Sequence, residues 1–146
     1  MRIRVFLAAA LVALVGTLAF ATAARATGTH AAFVTVMTGA AEVPGPGDPD
    51  GFGVAGIAID TSSDTVCWVL FVRRIQLPAI AAHIHVGAPD VAGPVVVGLS
   101  APNAFGLSFG CITDADADAI AANPSNYYVN VHTTDFPAGA VRGQLG

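Results

Sequence analysis

Lysine is absent from all 146 residues of this sequence, and residues 27–146 contain only three arginines. Ten acidic side chains stand against those arginines, so this part of the chain carries a formal charge of −7. A surface that binds phosphate groups needs clustered cations. The composition therefore predicts that neither a nucleic acid nor an anionic membrane is a partner.

Long apolar runs are confined to the N-terminus. Arg2 and Arg4 precede the apolar stretch Val5–Ala24, and Ala24-Arg25-Ala26 supplies a small-x-small cleavage site. This order is typical of a signal peptide, here residues 1–26, and predicts a secreted mature protein that is free of the membrane. The alternative is an uncleaved anchor, because about 20 apolar residues can span a bilayer. The remaining residues, 27–146, have the length of a single domain.

Cysteine is almost as scarce as lysine. Cys67 and Cys111 are the only two, and both lie in apolar runs. In an exported domain an even pair predicts a disulfide bond, whereas in the cytosol the same pair would be buried thiols. The signal peptide favours the disulfide.

Residues 27–146 consist of short apolar runs separated by Gly, Pro, Asn and Asp, a pattern typical of all-β proteins. It predicts a Greek-key-like β sandwich of seven or eight strands rather than a parallel sheet with helices. One short helix is expected at 114–122, capped by Thr113 and ended by Asn123-Pro124. The predicted strands are Ala32–Met37, Val54–Asp60, Thr65–Arg73, Ala81–Val86, Pro94–Leu99, Leu107–Cys111, Tyr127–Thr133 and Ala140–Leu145.

Both faces of the strand that contains Cys67 are apolar, so its inward face can be assigned in two ways. The inward set is either Val66, Trp68, Leu70 and Val72 or Cys67, Val69 and Phe71. The expected disulfide favours the second set, with Cys67 pointing into the core.

No catalytic residues are predicted. Gly106–Gly110 reads G-x-S-x-G, the pattern of a serine nucleophile at a strand-to-helix turn. That turn belongs to a parallel sheet built from several βαβ units, which a chain of this length and pattern does not contain. The match is therefore interpreted as fortuitous.

Three of the four histidines lie in strand-like runs. Side chains two residues apart point to the same side of a strand, so His83 and His85 share one face. His132 lies in a second such run, and three imidazoles can bind copper or zinc with one coordination position left open. In the alternative interpretation, the rings are hydrogen-bonded to the backbone or to a carboxylate such as Asp90 or Asp135.

Several ordered motifs resemble the CHRD domain, a module named after the extracellular signalling antagonist chordin and also found in exported bacterial proteins. The resemblance covers about Phe33 to Gly146, and it implies an extracellular β domain with no assigned biochemical activity. The animal proteins bind secreted growth factors, so an extracellular protein partner is one expectation. The motifs are Gly39–Pro44 (GAAEVP), Ala82–Gly87 (AHIHVG), Gly93–Val97 (GPVVV), Tyr128–Thr133 (YVNVHT) and Phe136–Leu145 (FPAGAVRGQL).

A second resemblance is to copper–zinc superoxide dismutase. That family also has an exported β sandwich, an H-x-H pair on a strand, one disulfide and a C-terminal strand that contains arginine. This chain lacks the bridging histidine and the zinc cluster of that family, because its only other histidine is His30. A mononuclear copper or zinc site is the most that these residues support.

Two functions therefore remain. The first is an exported, non-enzymatic binding or structural module, in which Glu42, Arg142 and Gln144 hold loops together. Arg142 would there form a charge-assisted pair with a carboxylate. The second is a mononuclear copper or zinc protein with a dismutase-like or metal-handling role. Stoichiometric metal in the purified protein would separate the two.

Overall fold

The computed structural model of the protein describes residues 29–146, so the predicted signal peptide, 1–26, lies outside the described residues. The prediction of an all-β fold is confirmed, with eight antiparallel strands and one short α-helix, α1 (Ala117–Ala122). No helix in residues 29–146 is long and apolar enough to cross a membrane. The strands are β1 (His30–Thr38), β2 (Phe52–Asp60), β3 (Thr65–Arg73), β4 (Ala81–Val86), β5 (Val95–Leu99), β6 (Leu107–Thr113), β7 (Tyr127–His132) and β8 (Val141–Gln144).

The eight strands form one sheet in the order β5-β4-β7-β8-β1-β2-β3-β6. Strand β7 returns to pair with β4, which is a Greek-key connection. The sheet has two halves of four strands each, and they meet between β8 and β1 at a single register pair, Thr38 with Arg142. The edge strands β5 and β6 also approach each other. The Ser108 hydroxyl of β6 donates to the carbonyl of Ser100, the residue after β5, at 2.6 Å. The sheet is therefore nearly closed.

Both halves of the sheet contribute to one hydrophobic core. Alternate residues of each strand point inward, as the period-two pattern of the sequence requires. On β3 the inward residues include Val66 and Leu70, and on β4 Ala82 and Ile84, all fully buried. Val129 and Val131 of β7 complete the contact between the halves.

The disulfide between Cys67 and Cys111 is confirmed, but the expected direction of Cys67 was wrong. The two cysteines lie directly opposite each other on β3 and β6, with their Cα atoms 4.0 Å apart. The core-facing neighbours on β3 are Val66 and Trp68, so both cysteines lie on the outer face of the sheet. A disulfide between adjacent strands needs only an opposite register position, and therefore places no constraint on which face it occupies.

The helix begins three residues later than predicted. A carboxylate oxygen of Asp114 accepts the backbone N–H of Asp116 at 3.0 Å, and the Asp114 carbonyl accepts the N–H of Ala117. These bonds form a turn before the first helical residue. The predicted cap, Thr113, is instead the last residue of β6. Ile120 is fully buried and attaches the helix to the core.

Candidate metal centre

The three histidines predicted as ligands lie together on the outer face of β4 and β7. In the register of these strands, His83 pairs with Asn130 and His85 pairs with Tyr128. The residues between them belong to the core, so alternation directs these side chains to the opposite face. His132 follows Asn130 by two positions and shares its face.

The ring nitrogens of the cluster are close enough to share one ion. One nitrogen from each of His83, His85 and His132 lies within 4.8 Å of the other two. His83 Nδ1 and His132 Nε2 are 3.2 Å apart. Two nitrogens bound to a tetrahedral ion at about 2.0–2.1 Å lie roughly 3.3 Å apart. The pair His83–His132 thus already has the spacing of two ligands, and His85 requires a further small approach.

Backbone carbonyls determine which nitrogen of two histidines carries the proton. His85 Nδ1 lies 2.8 Å from the carbonyl oxygen of Gly93, and His132 Nδ1 lies 3.0 Å from that of Pro137. A carbonyl oxygen only accepts hydrogen bonds, so each Nδ1 must carry the hydrogen and donate it. In a neutral ring the remaining nitrogen, Nε2, then presents a lone pair. This outer hydrogen bond is the arrangement typical of metal-binding histidines.

The two lone pairs differ in their surroundings. His85 Nε2 is buried and has no hydrogen-bond partner among the described residues. His132 Nε2 faces Oδ1 of Asn130 at 3.0 Å, although both atoms are acceptors when the ring is neutral. His132 Nε2 can accept a hydrogen bond from His83 Nδ1, or from the amide if it turns to present its NH₂ group. His85 Nε2 has no such donor, so its free lone pair favours a positively charged ligand.

Burial favours the neutral form of two of the rings. Partial burial lowers the pKa of His83, and the neighbouring rings of His132 and His85 lower it further. Burial also lowers the pKa of His132, with a smaller opposing effect from the Pro137 carbonyl. Metal binding needs unprotonated imidazole, so the lowered pKa values of these two rings would favour a metal ion over a proton.

An aromatic stack supports His85 from behind. The ring of Tyr128 lies parallel to that of His85, with centroids 4.8 Å apart and planes 8° apart. The guanidinium carbon of Arg142 lies 3.4 Å from the centroid of the Tyr128 ring. Arg142 is only 1% exposed, so this cation–π contact is shielded from water and stronger than one at the surface. The stack holds the His85 ring in one orientation.

Arg142 does not form the carboxylate pair expected from the sequence. It donates instead to the carbonyl oxygens of Ala88 at 2.8 Å and Val91 at 3.0 Å, in the loop between β4 and β5. No carboxylate of the described residues lies within ion-pair distance of it. Gln144 donates to the Gly87 carbonyl of the same loop at 2.8 Å. Both side chains hold loops, as predicted, and this loop carries the Gly93 carbonyl that orients His85.

Sequence reasoning did not identify the two carbonyl groups, because a backbone acceptor can belong to any residue. For one of them, the carbonyl of Gly93, the residue type is itself a sequence signal. A Cβ atom at Gly93 would lie 1.6 Å from the carbonyl oxygen of Val86, so no other residue can bring the loop this close to β4.

Glu42 lies in a buried position, close enough to Arg142 for the two charges to interact. It is 5% exposed, and one of its carboxylate oxygens has no hydrogen-bond partner among residues 29–146. Burial raises the pKa of Glu42 to about 7, against the opposing effects of Arg142 and the Val43 N–H group. Gly139 leaves room for the carboxylate, since a Cβ there would lie 2.4 Å from the Glu42 carboxyl carbon. Glu42 thus fills the space under the loop that carries Pro137.

Comparison with models of protein families places the chain in a known family. The family model described as the CHRD domain matches residues 33–145, which includes every residue of the histidine cluster and of its supporting stack. No curated protein matches the chain, and no solved structure matches it.

Proposed function

We propose that this chain, which belongs to the CHRD domain family, is an exported binding module that holds one copper or zinc ion on His83, His85 and His132. Family membership by itself supports a binding or structural module. The proposal of an ion rests on one observation. The Nδ1–H groups of His85 and His132 are engaged by carbonyls, so their Nε2 lone pairs face the same space as His83.

The competing interpretation is a cluster held together by hydrogen bonds alone. Such a cluster would be stable only if each buried ring nitrogen had a partner, because an unsatisfied buried polar atom costs about 1–3 kcal/mol. His83 and His132 can satisfy each other through their 3.2 Å contact. His85 Nε2 cannot be satisfied in this way, since it has no partner in the described part of the chain. This difference favours the ion.

The donor set favours copper or zinc over calcium or magnesium. All three candidate ligands are imidazoles, which suit copper and zinc, whereas calcium and magnesium prefer oxygen ligands. Three protein ligands leave one position for a water molecule or another small ligand. A bound copper ion would supply one-electron chemistry there.

A metal-handling or dismutase-like role is the second candidate function. The observation in its favour is that His83 and His132 are partly exposed, so small molecules can reach the open side of the cluster. The residues on the closed side, Tyr128 and Arg142, would hold His85 still while a ligand exchanged at the open position.

Export is part of the proposal. A disulfide such as Cys67–Cys111 persists in oxidising compartments, and the sequence pattern of residues 1–26 is that of a cleaved signal peptide. The partner of such a module would be the metal ion, an extracellular protein, or both.

The test is a metal titration of three proteins purified from the export compartment. We expect wild-type protein to bind one copper or zinc ion, and His85→Ala to lose that binding. His30→Ala is the matched control, because the His30 side chain is 74% exposed and lies outside the cluster. Circular dichroism and thiol counting would show that each variant keeps its β fold and its disulfide. Equal affinity in wild type and His85→Ala would contradict the proposal.

A further inference from the structure

The other half of the sheet has an apolar outer face. On strands β1, β2, β3 and β6, three consecutive rows of outward positions hold no polar or charged side chain. We call these twelve positions the apolar outer face. They are Val36, Val54, Phe71 and Leu107 in the first row, Val34, Gly56, Val69 and Phe109 in the second, and Ala32, Ala58, Cys67 and Cys111 in the third.

Several of these side chains are highly exposed. Val34 is 77% exposed, Phe109 76% and Val69 59%. Rows two residues apart lie about 6.8 Å from each other and strands about 4.8 Å, so the face covers roughly 390 Å². The largest contiguous apolar patch on a monomeric protein typically covers about 300–600 Å², and a patch of this size often has a function.

We propose that the apolar outer face binds a second copy of this chain, in a two-fold symmetric dimer. Two-fold contacts join identical surfaces, so the face must complement itself. A two-fold axis parallel to the sheet and perpendicular to its strands would place each strand against its own copy in the opposite direction. The second row then meets itself, and the first row meets the third.

The sizes of the side chains fit this arrangement. The first row consists of large residues, whereas the third consists of two alanines and the disulfide. Each large residue of one copy then lies opposite a smaller one of the other. Phe71 faces the Cys67 position, Val54 faces Ala58 and Val36 faces Ala32. Such large-to-small pairing allows two sheets to pack closely.

The charges at the two ends of the face also fit. The row beyond the first contains Thr38, Phe52 and Arg73. The row beyond the third is polar and contains Asp60. The same two-fold axis brings these two ends together, so Arg73 of each copy approaches Asp60 of the other. The alternative axis, parallel to the strands, would place Arg73 near Arg73. Opposite charges therefore select the first arrangement.

The size of the contact predicts a reversible dimer. With the two end rows included, about 19 positions would be covered, or roughly 620 Å² on each copy. The total of about 1,200 Å² is at the lower end of stable protein interfaces. The histidine cluster lies on the other half of the sheet, so dimerisation does not depend on metal binding.

Sedimentation equilibrium of the purified exported protein tests the proposal. We expect a concentration-dependent monomer–dimer equilibrium for wild type, and at least a tenfold weaker association for Val69→Glu, which places a charge in the middle row. Ile80→Glu is the matched control, because Ile80 is 53% exposed and lies outside the face. A wild-type monomer up to millimolar concentration, or equal association of Val69→Glu and wild type, would overturn the proposal. Retention of a monomeric protein by neutral lipid vesicles would overturn it as well, and would assign the face to lipid.

A charge exchange tests the orientation of the two copies. Arg73→Asp and Asp60→Arg should each weaken the dimer, and the double variant should recover most of the wild-type association. Circular dichroism is needed for Asp60→Arg, because Asp60 accepts hydrogen bonds from Ser62 in the turn after β2. A double variant that associates no better than the single variants would overturn this arrangement.

Discussion

Replacement of Arg142 by methionine should destabilise the protein and weaken its metal binding together. Methionine keeps much of the length of the arginine stem but removes the guanidinium group. The carbonyl groups of Ala88 and Val91 then lose the hydrogen bonds that the guanidinium group donates to them. Hydrogen bonds to a charged group contribute about 1.5–3 kcal/mol each, and a shielded cation–π contact about 2 kcal/mol. The cost of burying the charge in the wild type offsets part of this sum.

We therefore expect Arg142→Met to lower the free energy of unfolding of the metal-free protein by about 3–5 kcal/mol, measured by urea denaturation. Arg74→Met is the matched control, because Arg74 is exposed. Arginine and methionine would both have to adopt the left-handed φ of 57° at this position, so the backbone does not distinguish them. We expect this control to change stability by less than about 0.5 kcal/mol.

The same variant should affect the histidine cluster through the loop. Without the guanidinium group, the loop that carries the Gly93 carbonyl is less firmly held, and His85 loses its fixed orientation. Loss of such a supporting contact typically lowers metal affinity about 10–100-fold. A variant that unfolds at the same urea concentration as wild type would refute the role given to Arg142 in the fold. Unchanged metal affinity in a destabilised variant would refute its role in orienting His85.

Three further predictions concern the surrounding structure. The pKa of Glu42 is raised to about 7, so the folded protein binds a proton more tightly than the unfolded chain does, and stability should fall as pH rises from about 4.5 to 7. Glu42→Gln should remove roughly 3 kcal/mol of that decline. The measurement is the free energy of unfolding in urea at pH 5 and at pH 8, for the variant and for wild type. An equal change between the two pH values in both proteins would contradict the buried charge. Replacement of Cys67 and Cys111 by serine should lower stability by about 4 kcal/mol, since the disulfide closes a loop across a separation of 44 residues; a loss below about 1 kcal/mol would show that the disulfide contributes little. Gly93→Ala should destabilise the metal-free protein in thermal unfolding, because its Cβ would meet the Val86 carbonyl oxygen; a melting temperature equal to that of wild type would mean that the loop can move away.

Periodicity and turn residues were sufficient to predict the strands. Period two on β4 placed His83 and His85 on one face, and the same period on β7 placed His132 with Asn130 and Tyr128. The approach of β7 to β4 could not be read from the pattern, because it depends on a Greek-key connection between strands that are distant in the chain. The period-two pattern predicted which side chains share a face of each strand, and the strand order places the three histidines next to one another.

The errors have a common physical origin. The direction of Cys67 and the partners of Arg142 both depend on groups that give no signal in the sequence. An apolar strand with two apolar faces does not indicate which face is buried, and here the outer face is as apolar as the inner one. Arg142 pairs with carbonyl oxygens, which every residue of the loop offers. The helix start was displaced because Asp114 forms a turn before the helix begins.

The central claim is that His83, His85 and His132 hold a metal ion in the exported protein. The most direct measurement is the copper and zinc content of the protein isolated from its export compartment, determined by elemental mass spectrometry against the protein concentration. The proposal predicts about one ion of copper or zinc for each chain, retained on dialysis at neutral pH and released below about pH 6 as the imidazoles are protonated. Protein that contains neither metal, and that takes up neither when they are supplied, would contradict the claim.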